Sequence, residues 1–372
     1  MKTHDDEVFY SIALSSIKGI GPIIARRLIE QFGSAQNVFR EKPEILQLIP
    51  RFGDELAKGC RSCRVLDPAE QEMDFIRKHQ IQPILLNDPE YPERLRDCVD
   101  APILLFYKGT ANLNASHIIA MVGTRNSTPY GRDLIEQFTS SLATRLPDAL
   151  IVSGLAYGID VTAHRCALQN HLETVGVVAH GLDRLYPDAH RTLAKEMLAQ
   201  GGLLTEYPSG TNPDKGNFIA RNRIIAGISD ATIVVETADK GGSVITANIA
   251  NTYDRDVFAF PGRVNDQRSR GCNRLIRQNR AALITCADDF LEMMNWAQDQ
   301  NARPATQLPI EFDLTDEEQE IIQLLSLHGE MQLNRIAIET EKPVSKLTGL
   351  LMDLELRNIV RSYPGAVYRL KA

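Results

Sequence analysis

Six short apolar runs, rich in β-branched residues, follow one another between Ile118 and Gly262. Each run ends at a glycine, a proline or a polar turn, and helical patterns separate most of them. Strands that alternate with helices predict a doubly wound, mainly parallel α/β sheet covered on both faces. Such sheets bind their ligands beyond the carboxyl ends of the strands. The six runs are IIAMVG, ALIVSG, TVGVVA, LLTEYP, ATIVVET and DVFAFPG.

The segments on either side of this sheet have other patterns. Residues 1 to about 110 show helical spacing, and the turn Gly19-Ile20-Gly21-Pro22 predicts a helix-hairpin-helix. The amides of such a turn can contact a DNA phosphate, but the same turn also joins helices that bind no ligand. After a polar, proline-containing stretch, three amphipathic helices and two short strands predict a winged helix. We therefore expect a helical domain at 1–80, the α/β domain at 81–298, a linker at 299–311 and a winged helix at 312–372.

The charge of the chain is unevenly distributed. The net charge is −7, yet residues 117–286 contain 18 Lys and Arg against 16 Asp and Glu, so the remainder carries −9. Seven arginines lie between Arg255 and Arg280. This distribution argues against nucleic-acid binding over the whole surface and favours a local patch in the middle of the chain.

Other sequence features exclude several classes of protein. No apolar run approaches the ~20 residues that span a bilayer, and the acidic, polar start lacks the pattern of a signal peptide, so we expect a cytoplasmic protein without membrane contact. Cys60 and Cys63 form a CxxC pair without a second pair, so we expect neither a metal site nor a cofactor.

The run from Lys215 to Ser229 combines three cations with a single phenylalanine and then becomes apolar. Cations that bind phosphates and a ring that stacks on bases are the residue types that single-stranded nucleic acid requires. Three glycine-containing turns, VGTRN, SGLAYGID and KGGS, each follow a predicted strand and could hold phosphates. None matches the fingerprints of dinucleotide-binding or triphosphate-binding loops. Several phosphate sites along one sheet edge favour a polynucleotide as the ligand.

Together these motifs resemble the DNA-processing protein A (DprA, or Smf) family over nearly the whole chain, from NDPEYPERL through GCNRLI to the winged helix. The resemblance implies an extended Rossmann-like domain that binds single-stranded DNA without catalysis. It also implies a homodimer that loads RecA recombinase during natural transformation, with single-strand-binding protein as a further candidate partner. The site residues that it implies are Gly123, Thr124, Arg125, Ser153, Gly154, Ala156, Lys215, Phe218, Arg221, Asn222, Arg223, Gly241 and Ser243.

The chain departs from the family pattern at two positions. The family usually has Phe-Pro before the Arg-Asn-Arg element, whereas this chain has Phe218-Ile219-Ala220. The element after GCNRLI usually continues into Gly-Ala, whereas here it reads RQNRAALI. The first departure concerns the local backbone at Phe218, and the second concerns the end of the domain.

Two other functions remain open from the sequence. The domain also resembles lysine-decarboxylase-like phosphoribohydrolases, but GGSVITANIANTY lacks the glutamate that their motif requires. Alternatively, the winged helix reads duplex DNA through a helix that carries Lys342, Ser345, Lys346 and Thr348 near its start. His164 is expected to be structural, and Glu206 and Glu236 either form a carboxylate pair or orient amides and arginines.

Overall fold

The computed structural model describes residues 2–50, 53–296, 314–340, 342–357, 359–363 and 365–370. Its contacts divide the chain into two compact units, Met1–Ala297 and Gln298–Ala372. The predicted linker at 299–311 lies outside the described residues. Among the helices that the structure describes, none is both long and apolar enough to cross a bilayer.

The first unit opens with helices that share an apolar core. The turn at Gly19 to Gly21 separates the first two, and Pro22 occupies the first helical position, where its missing N–H is not needed. Leu14, Leu28, Val38 and Leu46 are buried in this core. The helices are α1 (Lys2–Ser16), α2 (Pro22–Phe32), α3 (Ala35–Arg40), α4 (Pro43–Gln47), α5 (Gly53–Gly59) and α6 (Cys63–His79).

A nine-stranded sheet of described residues forms the centre of this unit, in the order β1-β2-β6-β5-β4-β3-β7-β8-β9. The seven strands from β6 to β9 in that order are parallel, and β1 and β2 are antiparallel additions at one edge. The strands are β1 (Gln82–Leu85), β2 (Leu104–Gly109), β3 (Ile118–Val122), β4 (Leu150–Ser153), β5 (Glu173–Val177), β6 (Gly201–Thr205), β7 (Ala231–Val234), β8 (Asp256–Ala259) and β9 (Ala282–Leu283).

The central parallel strands are mainly apolar because helices cover both faces of the sheet. In β3, Ile118 and Ala120 belong to one core cluster, and Ile119 and Met121 belong to the cluster on the opposite face. The helices of this part are α7 (Glu93–Arg96), α8 (Pro129–Arg145), α9 (Ile159–Gln169), α10 (Arg191–Ala199), α11 (Lys215–Ile228), α12 (Gly242–Thr252), α13 (Arg270–Arg277) and α14 (Ala287–Met293), with a 3-10 turn at Asp188–His190.

The six predicted strands are present as β3 to β8, and the doubly wound fold class is confirmed. The expectation that residues 1 to about 110 are helical is wrong at its end, because β1 and β2 lie there. The polar, proline-containing start of β1 does not resemble a strand, and β2 pairs with β6, which is distant in sequence. Their inner side chains, including Leu85, Leu104 and Phe106, pack on the N-terminal helices.

The second unit has the winged-helix order of elements. A three-stranded antiparallel sheet, ordered β10-β12-β11, packs on three helices over a core that includes Ile321, Leu325 and Leu351. Thr315 and Glu318 form a reciprocal capping box at the start of the first helix. The elements are α15 (Asp316–His328), β10 (Glu330–Gln332), α16 (Leu333–Thr340), α17 (Val344–Leu356), β11 (Val360–Tyr363) and β12 (Val367–Leu370).

Candidate nucleic-acid interface

A cleft of about 600 Å³ opens at the carboxyl ends of β3 and β7. The chain runs from β3 through β4 and β5 to β6 on one side, then returns to place β7 on the other side of β3. This reversal leaves a crevice between the two strand ends, where open α/β sheets bind ligands. The loops after β3 and β7, the turn before α9 and the first turns of α11 and α12 line the cleft.

The cleft contains ten of the thirteen predicted site residues. Ser153, Gly154 and Arg223 do not line it. The ten that do are Gly123, Thr124, Arg125, Ala156, Lys215, Phe218, Arg221, Asn222, Gly241 and Ser243.

The loop after β3 holds Arg125 at the mouth of the cleft. The Thr124 amide donates to the Glu236 carbonyl at 2.7 Å, and the Thr124 carbonyl accepts from the Ile159 amide at 3.1 Å. Gly123 is required for this close approach, because a Cβ atom there would overlap the Ile159 side chain. The loop is therefore fixed at both sides, while the Arg125 side chain remains exposed.

Phe218 lies in the cleft with cations on its ring. The guanidinium carbon of Arg125 is 5.2 Å from the ring centroid, and that of Arg221 is 5.9 Å away. Tyr186, which is 45% exposed, contributes a second ring whose centroid is 5.8 Å from that of Phe218. The Phe218 side chain is half-buried, so part of the ring is open to a ligand. Tyr186 was not among the predicted site residues, because it lies far from Phe218 in sequence and no local motif joins the two.

Arg221 lines the cleft, but its guanidinium donates hydrogen bonds to the protein itself. Its side chain is 3% exposed, and Nη1 donates to the carbonyl oxygens of Gly154, at 2.8 Å, and Val177. A Cβ atom at Gly154 would overlap this guanidinium, so the glycine makes room for it. Burial lowers the pKa of Arg221 to about 10, which leaves it charged at neutral pH. Arg221 therefore supplies positive charge from beneath the cleft.

The anion-binding turn expected at Ser153 to Ala156 is occupied by the protein itself. Ser153 is buried, and its hydroxyl donates to the Met121 carbonyl at 2.6 Å. The Ala156 amide donates to the Asp160 carboxylate at 3.4 Å. Burial raises the pKa of Asp160, opposed by the nearby Arg221. Of this turn, only Ala156 and Asp160 reach the cleft.

Arg223 points away from the cleft. Its Nη2 pairs with the Glu206 carboxylate, and its Nη1 donates to the Asp100 carbonyl at 2.8 Å. Residues two apart on a helix lie about 200° apart, so Arg221 and Arg223 cannot share a face. The residues of α11 that do face the cleft, including Phe218, Asn222 and Ile225, recur at helical spacing. The sequence therefore predicted more cations on the cleft-facing side of α11 than the structure places there.

The loop after β7 completes the cleft. Lys240 is exposed on its wall and was absent from the predicted site residues, although its loop was recognised. Ser243 lies in the first turn of α12, and its hydroxyl is buried without a hydrogen-bond partner among the described residues. The first amides of a helix carry partial positive charge and donate hydrogen bonds to anions. This corner of the cleft is thus suited to a phosphate oxygen.

The electrostatic balance of the cleft is positive. Its described lining contains four cations, Arg125, Lys215, Arg221 and Lys240, and one carboxylate, Asp160. The side chains of Arg125, Lys215 and Lys240 have no hydrogen bond or ion pair within the part of the chain that the structure describes. Three exposed cations are therefore available to an anionic ligand.

His164, Glu206 and Glu236 do not line the cleft. His164 is buried, its Nδ1 is 2.7 Å from the Thr174 hydroxyl, and burial lowers its pKa to about 3. Glu206 pairs with Arg223, whereas Glu236 accepts from the amide of Thr128 at 2.9 Å. The two glutamates thus orient different groups. Among the described residues, no cluster of three or more metal-ligating side chains occurs.

The comparison of the sequence with protein families gives three matches. The family described as DNA recombination-mediator protein A matches residues 82–295. A SAM-like helix-hairpin-helix tandem matches residues 11–59, and a DprA winged helix domain matches residues 303–366.

Individual proteins show the same similarity. The chain is 31% identical to Protein Smf of Synechocystis over 98% of this chain and 99% of the relative. It is 39% identical to DNA processing protein DprA of Streptococcus pneumoniae over 63% of this chain and 83% of the relative.

Two solved structures are similar in fold and sequence. The X-ray structure of DprA from Streptococcus pneumoniae has a TM-score of 0.62 and 34% identity, covering 77% of this chain and 97% of that chain. DNA processing protein A from Helicobacter pylori has a TM-score of 0.52 and 30% identity, covering 58% of this chain and 96% of that chain. The Helicobacter structure is described as giving insights into a unique single-stranded DNA binding mode.

Proposed function

The chain belongs to the DNA recombination-mediator protein A family, and from this premise we propose that its cleft binds single-stranded DNA during DNA processing. One observation carries the proposal. A partly open phenylalanine ring lies in a cleft with three exposed cations that form no hydrogen bond or ion pair in the described residues, at the sheet position where α/β proteins bind ligands. The single-stranded DNA binding mode reported for the Helicobacter pylori relative supports the same ligand.

In this proposal the phosphates and the bases contact different parts of the cleft. Arg125, Lys215 and Lys240 bind phosphate oxygens, and the first amides of α12 and the Ser243 hydroxyl donate hydrogen bonds to another. A base stacks on Phe218, which requires that the base be unpaired. Paired bases are already stacked within a duplex, so the cleft prefers a single strand.

The buried arginine has a separate role. Arg221 holds the loops after β4 and β5 together through two carbonyl oxygens and keeps the floor of the cleft positive. Of the thirteen candidate residues, Arg221, Arg223, Ser153 and Gly154 are therefore proposed to shape the site. The remaining nine are proposed to form its surface.

The later steps of the proposed function rest on the family. We propose that the protein acts in the cytoplasm as a homodimer and loads RecA onto the bound strand, as in natural transformation, with single-strand-binding protein as a further partner. The test is RecA-dependent ATP hydrolysis on a strand already coated with single-strand-binding protein. The intact chain should shorten the lag, and a variant that cannot bind DNA should not. An unchanged lag with a protein that binds DNA normally would contradict the loading step alone.

The domain boundaries belong to the same proposal. We retain a helical domain at 1–80, the DNA-binding domain at 81–298, a linker at 299–311 and the winged helix at 312–372. Limited proteolysis should cut first within 299–311. First cleavage within the sheet domain would contradict these boundaries.

The binding experiment is a salt titration with single-stranded and duplex oligonucleotides of equal length. Each phosphate contact on a single strand contributes about 0.7 to the slope of log K against log salt. The Arg125→Ala/Lys215→Ala variant should therefore bind more weakly and lower the slope by about 1.4, whereas the exposed Lys195→Ala on α10 should change neither. Equal binding of single strand and duplex, or an unchanged slope in the double variant, would contradict the cleft as the DNA site.

A further inference from the structure

The segment from Arg255 to Arg280 is strongly positive, yet none of its arginines lines the cleft. It contains seven arginines and two aspartates, Asp256 and Asp266, a balance of +5 in a chain of net charge −7. Arg263, Arg268, Arg270 and Arg277 are exposed, and their side chains have no hydrogen bond or ion pair within the described ranges. Arg255, Arg274 and Arg280 donate to protein oxygens.

Helix α13 places three of these arginines on one side. Gly271, Cys272 and Leu275 form its buried face. Arg270, Arg274 and Arg277 recur at intervals of four and three residues, so they share the opposite face. Like charges at this spacing repel one another and weaken the helix slightly. The helix dipole favours Arg274 and Arg277 in the last turn, but it does not favour Arg270 in the first turn, whereas a polyanion would neutralise all three.

Helix α13 lies against the wall of the cleft. The Gly271 amide donates to the Thr237 carbonyl at 2.9 Å, and Thr237 lines the cleft. Arg274 donates to the Asp239 carbonyl, and its guanidinium is 3.7 Å from the Asp239 carboxylate. Asp239 is thus paired with Arg274, and the next residue is the exposed Lys240 of the cleft. The carboxylate next to Lys240 is therefore balanced by a cation of α13.

We propose that a single strand leaves the cleft past Lys240 and continues along an arginine face, defined as Arg263, Arg268, Arg270, Arg274 and Arg277. This inference rests on the proposed function of the cleft. Because α13 is about 12 Å long, it accommodates a few phosphates. The arginine face has no aromatic residue, so it binds the backbone irrespective of sequence and makes affinity depend on strand length.

The test compares a 6-nucleotide oligo-dT, which fills the cleft, with a 30-nucleotide oligo-dT, which also reaches the arginine face. The variant is Arg268→Ala/Arg270→Ala/Arg277→Ala. Its control, Arg27→Ala/Arg64→Ala/Arg165→Ala, removes the same charge from exposed positions on α2, α6 and α9. Affinity and salt slope are measured on the full chain, with melting temperature as the check on folding. A triple Arg→Lys variant at positions 268, 270 and 277 retains the charge.

The expected result is specific to the long strand. The triple alanine variant should bind the 6-mer like the unmodified chain, but should lose about tenfold or more in affinity for the 30-mer. Its slope on the 30-mer should fall by about 2, for three phosphate contacts at about 0.7 each. The triple lysine variant should keep most of the slope, and the control variant should keep all of it.

Other outcomes would overturn the inference in distinguishable ways. An unchanged 30-mer slope, or an equal loss in the control variant, would show that the arginine face does not hold the strand. An equal loss on both oligonucleotides would assign the arginines to the cleft or to folding. Polyglutamate that displaces the 30-mer as well as oligo-dT does would indicate an acidic protein partner instead. If the unmodified chain binds neither oligonucleotide, the proposed function itself fails.

Discussion

The cleft and the segment at the start of α17 in the winged helix both carry two lysines, but only those of the cleft lack an ion-pair partner among the described residues. In the winged helix, Lys342 pairs with Glu320, and Lys346 Nζ is 2.5 Å from Glu317. In the cleft, Lys215 and Lys240 have no such partner among the described residues. Both regions looked suitable for DNA from the sequence alone. The difference shows that the availability of a cation, rather than its presence, distinguishes a candidate interface.

The largest expected effect concerns Arg221, the buried cation at the floor of the cleft. Arg221→Met should destabilise the first unit by about 2–5 kcal/mol, because the carbonyl oxygens of Gly154 and Val177 lose their donor, at about 1–3 kcal/mol each. Urea unfolding measures the loss, and the exposed Arg165→Met should stay within about 0.5 kcal/mol of the unmodified chain. A cost below 1 kcal/mol for Arg221→Met would show that this arginine is free to serve a ligand instead.

The next effect tests stacking in the cleft. Phe218→Ala should weaken binding of single-stranded DNA by about 1–3 kcal/mol without changing the salt slope, because a ring contributes no charge. Phe218→Trp should retain the affinity. The readout is fluorescence anisotropy of a labelled oligonucleotide over a range of salt. A lower slope with unchanged affinity at low salt would contradict the stacking role.

A pH experiment contrasts a histidine of the first unit with one of the second. His164 is buried next to Arg221 and His190, and its pKa of about 3 lies below the unfolded value of about 6.5. The unfolded chain therefore binds a proton that the folded chain does not, and stability is lost as pH falls below 6.5, by about 1.4 kcal/mol per unit.

His164→Gln should flatten this part of the stability profile, measured by urea unfolding between pH 7 and pH 5. His328→Gln, at an exposed position in α15, should leave it unchanged. An identical pH profile for His164→Gln and the unmodified chain would contradict the assignment of the proton to His164.

The smallest effect is expected in the winged helix. Lys342→Ala/Lys346→Ala removes two surface ion pairs, which contribute little to stability because water screens them. The salt slope for single-stranded DNA should stay the same, in contrast to the Arg125→Ala/Lys215→Ala variant. A larger loss of slope in the winged-helix variant would reverse the comparison between the two regions.

The sequence predicted most of the sheet because the parallel strands are short, mainly apolar and bounded by turns. It missed β1 and β2, because antiparallel edge strands depend on partners far away in sequence. Local pattern also placed the loops after β3 and β7 at one edge, which the strand order confirms. The overall position of the candidate site was therefore accessible from periodicity and turn residues.

The side chains that are available in the cleft are those that form no hydrogen bond or ion pair within the protein. Arg221 and Arg223 look equivalent in sequence, yet their carbonyl and carboxylate partners come from distant loops. The turn at Ser153 was predicted to hold an anion, and Asp160 already occupies the nearby Ala156 amide. Such internal pairings have no local sequence signal, so only the folded arrangement separates the structural groups from the available ones.

Crosslinking tests the central claim most directly. A hexanucleotide carrying 5-iodouracil, irradiated with the full chain, forms covalent bonds with aromatic side chains that stack on the modified base, and mass spectrometry identifies the peptide. The account predicts a crosslink to Phe218 or to the neighbouring Tyr186, lost when Phe218 and Tyr186 are both replaced by alanine. Crosslinks confined to the winged helix, residues 314–370, would contradict the cleft as the binding site for single-stranded DNA.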